Sequence, residues 1–220
     1  MKRSYINEKI DNAIDFIKQN NFYLPKFAYW EPSKWETLGS EYQELVDNKL
    51  GWDMTDFGSD DFEKQGLLLF TLRNGNQNND LYTKPYAEKV MVIQENQVTP
   101  LHYHWVKTED IINRGGGILV IKLYQSNEND ELSNEKFTVK VDGQEVECGP
   151  GTEIRLEPGE SITLTPKIYH SFWAEEGKVL AGEVSESNDD ENDNRFYDDS
   201  PRFSEIIEDT EKKYVLVNEY

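Results

Sequence analysis

Cysteine is almost absent from this chain. Cys148 stands alone in 220 residues, so no intrachain disulfide can form and a reducing compartment is the expectation. Histidine is nearly as scarce: only His102, His104 and His170 occur. Basic residues are also few, 23 Lys and Arg against 43 Asp and Glu, for a net charge of −20. Such a field repels polyanions and sets aside nucleic acid and anionic membrane surfaces as partners. It weighs against a phosphorylated substrate as well, unless a local basic pocket overrides the global sign. No apolar run reaches transmembrane length, and Ser4 to Asn12 supplies no hydrophobic stretch behind the Met-Lys-Arg start that a signal peptide would need. A soluble cytoplasmic protein is expected. What is present suffices for a folded domain: 36% hydrophobic and 12% aromatic residues in a chain long enough to bury a core.

The pattern divides in two. Ile6, Ile10, Ala13, Ile14 and Ile17 recur at helical spacing until Asn20, Asn21 and Pro25 stop them. A second helix is expected from Ser40, with Gln43 completing a capping box, Tyr42, Leu45, Val46 and Leu50 as its stripe, and Gly51 as its C-terminal cap. Residues 1–65 therefore read as a helical extension, suited to a lid or a dimer surface. From Gly66 onward short apolar or alternating runs take over: 67–72, 87–94, 118–124, 137–141, 162–165, 170–174 and 179–184. Asn74-Gly75, Asp142-Gly143, Gly149-Pro150-Gly151 and Pro158-Gly159 punctuate them. Strands this short and regular, with no helical crossovers, predict a mainly β domain over 66–220, an antiparallel sandwich or barrel. Asn188 to Asn194 reads as a solvated acidic loop, 204–210 as a short helix and 214–217 as a final strand.

The three histidines organise the chemistry. His102 and His104 alternate with Leu101, Tyr103 and Trp105, so on a strand both imidazoles face one way. Glu109 follows where a turn can return its carboxylate to that face, and His170 lies in another strand. Two His and a carboxylate from one hairpin plus a distant His make a four-ligand set for Zn²⁺, Mn²⁺, Fe²⁺, Co²⁺ or Ni²⁺. On an octahedral ion this leaves two adjacent positions for a substrate that chelates through neighbouring oxygens.

The spacing His-x-His, four residues, Glu, six residues, Gly resembles the first cupin motif, at His102, His104, Glu109 and Gly116. Asn96 stands where that family has Gly, and in the second motif Pro166, His170 and Ala174 keep the Pro and His but not the Asn. The resemblance implies a cupin-type antiparallel jelly-roll β-barrel. The stretch A-E-K-V-M-V-I-Q-E-N-Q-V-T-P-L-H-Y-H-W-V-K-T-E-D-I-I-N-R-G-G-G, with the later G-E-V-S, N-D-D and D-N-R-F, is similar to the D-lyxose isomerases, cupin ketol-isomerases of free sugars. That similarity implies an Mn²⁺-dependent homodimer interconverting D-lyxose and D-xylulose, with D-mannose and D-fructose as a second pair, and places the metal on His102, His104, Glu109 and His170.

Moving a proton between C2 and C1 of a sugar through an enediol requires a base over that edge and a cation or acid near the oxygens. Glu183, on a strand of small and apolar residues, is one candidate, and its desolvation predicts a raised pKa. Lys107 is the other. Lys84, Asp190 and Arg195 are candidates to bind sugar hydroxyls. A cupin dioxygenase, a phosphosugar isomerase and a non-catalytic sugar-binding cupin remain as alternatives; the second would need a basic cluster, and only Lys84, Lys89, Lys107 and Arg114 lie near the motif.

Overall fold

The computed structural model describes residues 1–190 and 192–220. The N-terminal isoleucine stripe forms helix α1 (Arg3–Gln19), which buries Ile6, Ile10, Ala13 and Ile17. It ends at Asn21, whose φ of 57° is the left-handed conformation that asparagine tolerates well. The second helical segment is weaker than its pattern predicts. Pro32–Trp35 (α2) is one turn, and a 3₁₀ turn at Ser40–Tyr42 leads only into Gln43–Asp47 (α3). The expected capping box is not formed, because the Gln43 amide donates to Asp47 instead, 2.8 Å away. The chain leaves that helix at Lys49 (φ 54°), not at Gly51. Gly51 opens a strand, β1 (Gly51–Thr55), which the sequence pattern did not signal and which belongs to the β-sheet.

The other strands are β2 (Leu67–Arg73), β3 (Tyr86–Ile93), β4 (His102–Tyr103), β5 (Glu109–Gln125), β6 (Phe137–Val141), β7 (Gln144–Cys148), β8 (Thr152–Leu156), β9 (Ser161–Leu164), β10 (Ile168–Glu186) and β11 (Arg195–Phe196). All strand pairings among these are antiparallel. The runs at 170–174 and 179–184, read as two strands, are one long strand, and β5 likewise begins nine residues before the run that announced it. Both bend at a shared irregularity, where the β5–β10 register shifts between Glu175 and Val179 opposite Gly116. The outer halves of β5 and β10 continue the order β1-β2-β3-β10-β5-β9-β6-β7. Their other halves pair with β8 and β4, and β4 pairs with β11. Two sheets thus share two strands and close into a cupin-type β-barrel.

Alternation decides which face goes where. Leu69, Met91, Ile93, Ile111, Leu119, Ile121, Phe172 and Ala181 point into the barrel. Leu68, Phe70, Val90, Val92 and Leu180 point outward and are covered by the α1 stripe together with Trp52, Tyr214 and Leu216. The C-terminal segment completes that cover without regular structure of its own. Residues 204–210 are not helical; Ile207 bridges Lys2 instead. Of the expected last strand only Leu216 pairs, with Trp52, before a 3₁₀ turn at Val217–Glu219.

Candidate active site

His102 and His170 face each other across the β4–β10 pair, and His104 follows as the chain leaves β4. Their rings gather inside the barrel, with centroids 4.2 Å apart for His102–His170 and 5.4 Å for His102–His104. Each Nδ1 lies against a backbone carbonyl: Pro100 O at 2.8 Å, Asp193 O at 2.9 Å and Ile168 O at 3.0 Å. A carbonyl only accepts, so each Nδ1 carries the proton and each Nε2 presents a bare lone pair. The three rings offer ligand atoms all within 4.8 Å of one another.

Glu109 opens β5 beside them. Its Oε1 lies 3.1 Å from His170 Nε2 and its Oε2 3.4 Å from His104 Nε2. With both nitrogens unprotonated these are acceptor-to-acceptor approaches, and Oε1 is buried without a hydrogen-bond donor. Three imidazole lone pairs and an orphaned carboxylate oxygen converge in a buried pocket, a donor set that fits a divalent ion. Burial, reinforced by His170 and His104, holds the His102 pKa well below 6.5, in the unprotonated form a ligand needs.

Beside this group Lys107 Nζ bridges two carboxylates, Glu183 Oε1 at 2.8 Å and Glu109 Oε2 at 2.9 Å. Glu183 receives a second cation, Lys89 Nζ, at 3.3 Å. The expected rise of the Glu183 pKa is therefore reversed. Burial pushes it up, but Lys107 and Lys89 together outweigh burial and hold it below the ordinary carboxylate range. Burial likewise works against the Lys107 ammonium, and Glu109 and Glu183 more than offset it, so Lys107 stays charged.

The remaining expected site residues separate. Asp190 lines the same cavity and lies 3.5 Å from Arg202. Lys84 does not reach the cavity; its Nζ pairs with Glu44 at 2.6 Å. Arg195 sits on β11 beside Tyr103 and donates to the Phe196 carbonyl at 2.8 Å, away from the cavity lining. The acidic loop is not merely solvated. Its Glu191 lies outside the described residues, but Asp193 is 8% exposed and accepts from the backbone N–H groups of Val106 and Lys107 at 2.8 and 3.1 Å. Its carbonyl orients His104, as noted above.

Lys89, noted above only as a basic residue near the motif, and Arg202, which no motif indicated, are further charged residues of the wall. Lys89 was detectable as the one cation on the inward face of β3, between Ala87 and Met91. Arg202, in an irregular tail, carried no local signal; it binds Asp53 and leaves Nη1 buried and unpaired. Phe57, Phe196, Met91 and Phe172 supply apolar wall. The open space between these residues has a volume of about 40 Å³.

Fold and site together describe a cupin-type barrel whose interior could hold one divalent ion next to an ionised Glu–Lys pair. The chain belongs to the D-lyxose isomerase family, whose model matches residues 1–220. It is 50% identical to the D-lyxose/D-mannose isomerase of Serratia proteamaculans, over all of this chain and 98% of that protein. It is 47% identical to the protein of the same name from Escherichia coli O157:H7, with the same coverage. Its fold is similar to that of an Acinetobacter sp. DL28 L-ribose isomerase mutant in complex with L-ribose, with a TM-score of 0.61 and 15% identity over 94% of this chain and 98% of that one.

Proposed function

We propose that this protein is an aldose–ketose isomerase of free sugars that interconverts D-lyxose with D-xylulose and D-mannose with D-fructose. The observation that carries this reading is the shared cavity, in which bare imidazole nitrogens and Glu109 lie next to a buried, charge-paired Glu183 and Lys107. Family membership and the relatives' names support the same substrate class. His102, His104, Glu109 and His170 would hold Mn²⁺, or another divalent transition ion, which would polarise the sugar carbonyl and fix the neighbouring oxygen.

The protein's own groups carry the proton. Glu183, kept ionised by two lysines, takes the C2 proton of the aldose and returns it to C1, while the hydroxyl proton passes from O2 to O1 across the enediol, so one C–H and one O–H bond break and one of each forms with no net change of oxidation state. Lys107 stabilises the negative charge that develops on the enediolate oxygens. Asp190 and Arg202 accept from and donate to the sugar hydroxyls, and the barrel wall excludes water. The homodimer and cytoplasmic location are part of this reading; no helix of the described residues is long and apolar enough to cross a membrane.

Incubating metal-loaded protein with free and phosphorylated sugars, while following oxygen uptake, tests the assignment. Conversion of D-lyxose and D-mannose without oxygen consumption is expected. Turnover confined to phosphorylated sugars, or coupled to oxygen, overturns it. In D₂O the product should take up solvent deuterium at the transferred position to the extent that the proton held by Glu183 exchanges before it is returned; complete internal transfer of a C2 label together with near-wild-type kcat in Glu183→Gln would replace proton transfer by a hydride shift and reduce Glu183 to orienting the substrate.

A further inference from the structure

Phe57 combines three features that packing alone does not require. It lies at φ 53°, in the left-handed region that strains a bulky L-residue, and Gly58 follows at φ 74°. The two are the central residues of the turn closed by Ser59 N–H to Asp56 O at 3.0 Å, with the signs of φ that a type I′ turn has and that Asn-Gly adopts more readily. Second, the strain is held from several sides. Phe57 N–H donates to Thr55 Oγ1 at 2.9 Å, Gly58 N–H to Asp56 Oδ1 at 3.0 Å, and Asp56 N–H to Ser204 Oγ at 2.9 Å. Third, the ring this conformation presents is 4% exposed, lines the catalytic cavity and meets Phe196 edge-on at 5.6 Å. Phe196 in turn lies 5.5 Å from His102.

A strained bulky residue clamped by its surroundings at a cavity wall points to a role in that cavity. Phe57 stands two ring contacts out from His102. The reacting C1–C2 edge has to sit between the histidines and the Glu183–Lys107 pair, so the far end of the sugar chain extends away from that group, toward apolar wall. From these observations we infer that Phe57 is the specificity-determining residue for chain length: its ring meets the terminal carbon of the substrate and sets the ratio of pentose to hexose turnover. This inference rests on the isomerase reading above.

The test compares wild type, Phe57→Leu, Phe57→Ala and Phe57→Gly, each metal-loaded, on D-lyxose and D-mannose. Shortening the ring should raise the hexose-to-pentose ratio of kcat/KM by about tenfold, the scale on which a hydrophobic pocket discriminates a single carbon, with metal content unchanged. Phe57→Gly removes the strain along with the ring, so its melting temperature should fall less than that of Phe57→Ala while the ratio still shifts. A ratio within about twofold of wild type in folded, metal-loaded Phe57→Leu and Phe57→Ala overturns the inference and leaves Phe57 a packing residue. If Phe57→Ala does not fold, Phe57→Leu alone decides. Wild-type protein that converts neither sugar would sink the isomerase reading itself, a result distinct from wild-type conversion with an unmoved ratio.

Discussion

At the scale of single residues, Glu183 and Lys107 are separable from the metal ligands by experiment. Neither belongs to the four-ligand set, so Glu183→Gln and Lys107→Met should keep metal content and fold. A positioned acid or base contributes about 10²–10⁴-fold, and kcat of Glu183→Gln should fall by that much; near-wild-type turnover in both variants would remove them from the mechanism. His102→Ala and His170→Ala should instead lose the ion, read by metal analysis after desalting. A fully loaded double variant would place the metal elsewhere. His102 also makes a pH prediction. Its folded pKa lies well below 6.5 through burial and its neighbouring histidines, so below pH 6.5 the unfolded chain binds a proton that the folded chain refuses. Stability of the chelator-treated protein is therefore intact above pH 6.5 and declines as pH drops beneath it, until the folded pKa is passed. Urea titrations at a series of pH values would show the midpoint falling in that window; a flat midpoint would mean the folded imidazole titrates normally.

At the scale of elements, the bend shared by β5 and β10 is what lets two strands serve two sheets, and Gly116 is where it is tightest. Its φ is +99°, and a Cβ there would lie 2.1 Å from the Lys178 carbonyl oxygen, a backbone atom on β10 that cannot step aside alone. Gly116→Ala should therefore destabilise by roughly 1–3 kcal/mol or more, seen as a lowered melting temperature. It should also disturb metal affinity, since Glu109 and His170 are carried on these same two strands. An unchanged melting temperature would show that the bend relaxes freely.

At the scale of the whole molecule, the two ends of the chain clasp each other over the outer sheet. Arg3, with a fully buried side chain, reaches Glu208 at 2.7 Å and Glu219 at 2.5 Å. Arg3→Ala removes that clasp and should cost on the order of 2 kcal/mol, moderated because Glu208 remains half-exposed to water; a chemical-denaturation midpoint identical to wild type would show that the clasp contributes nothing. Charge selects substrate at this scale too. The chain carries −20, and the cavity's cations are already matched: Lys89 by Glu183, Lys107 by Glu183 and Glu109, Arg202 by Asp53 and Asp190. Neutral sugars should thus exceed their phosphates in kcat/KM by a wide margin, and equal turnover of a phosphosugar would show that one of these pairs opens to bind phosphate.

Local pattern was enough to mark the α1 stripe, most of the strands, the Asp142-Gly143 hairpin and the convergence of every histidine with Glu109, because period, turn chemistry and ligand spacing act over a few residues. It was not enough to show β1, whose five residues carry no alternation that separates them from the helical stretch before them, or to see that the runs at 170–174 and 179–184 are one strand, since a bulge interrupts the pattern as a turn would. The sign of the Glu183 shift was decided only in three dimensions. Desolvation is legible from an apolar strand, whereas the two lysines that overrule it come from β3 and from the loop after β4. Arg202, Asp193 and Phe57 entered the site the same way, carried there by the C-terminal tail, the acidic loop and the turn after β1, because contacts between residues distant in the chain are made by folding and leave no trace in local sequence.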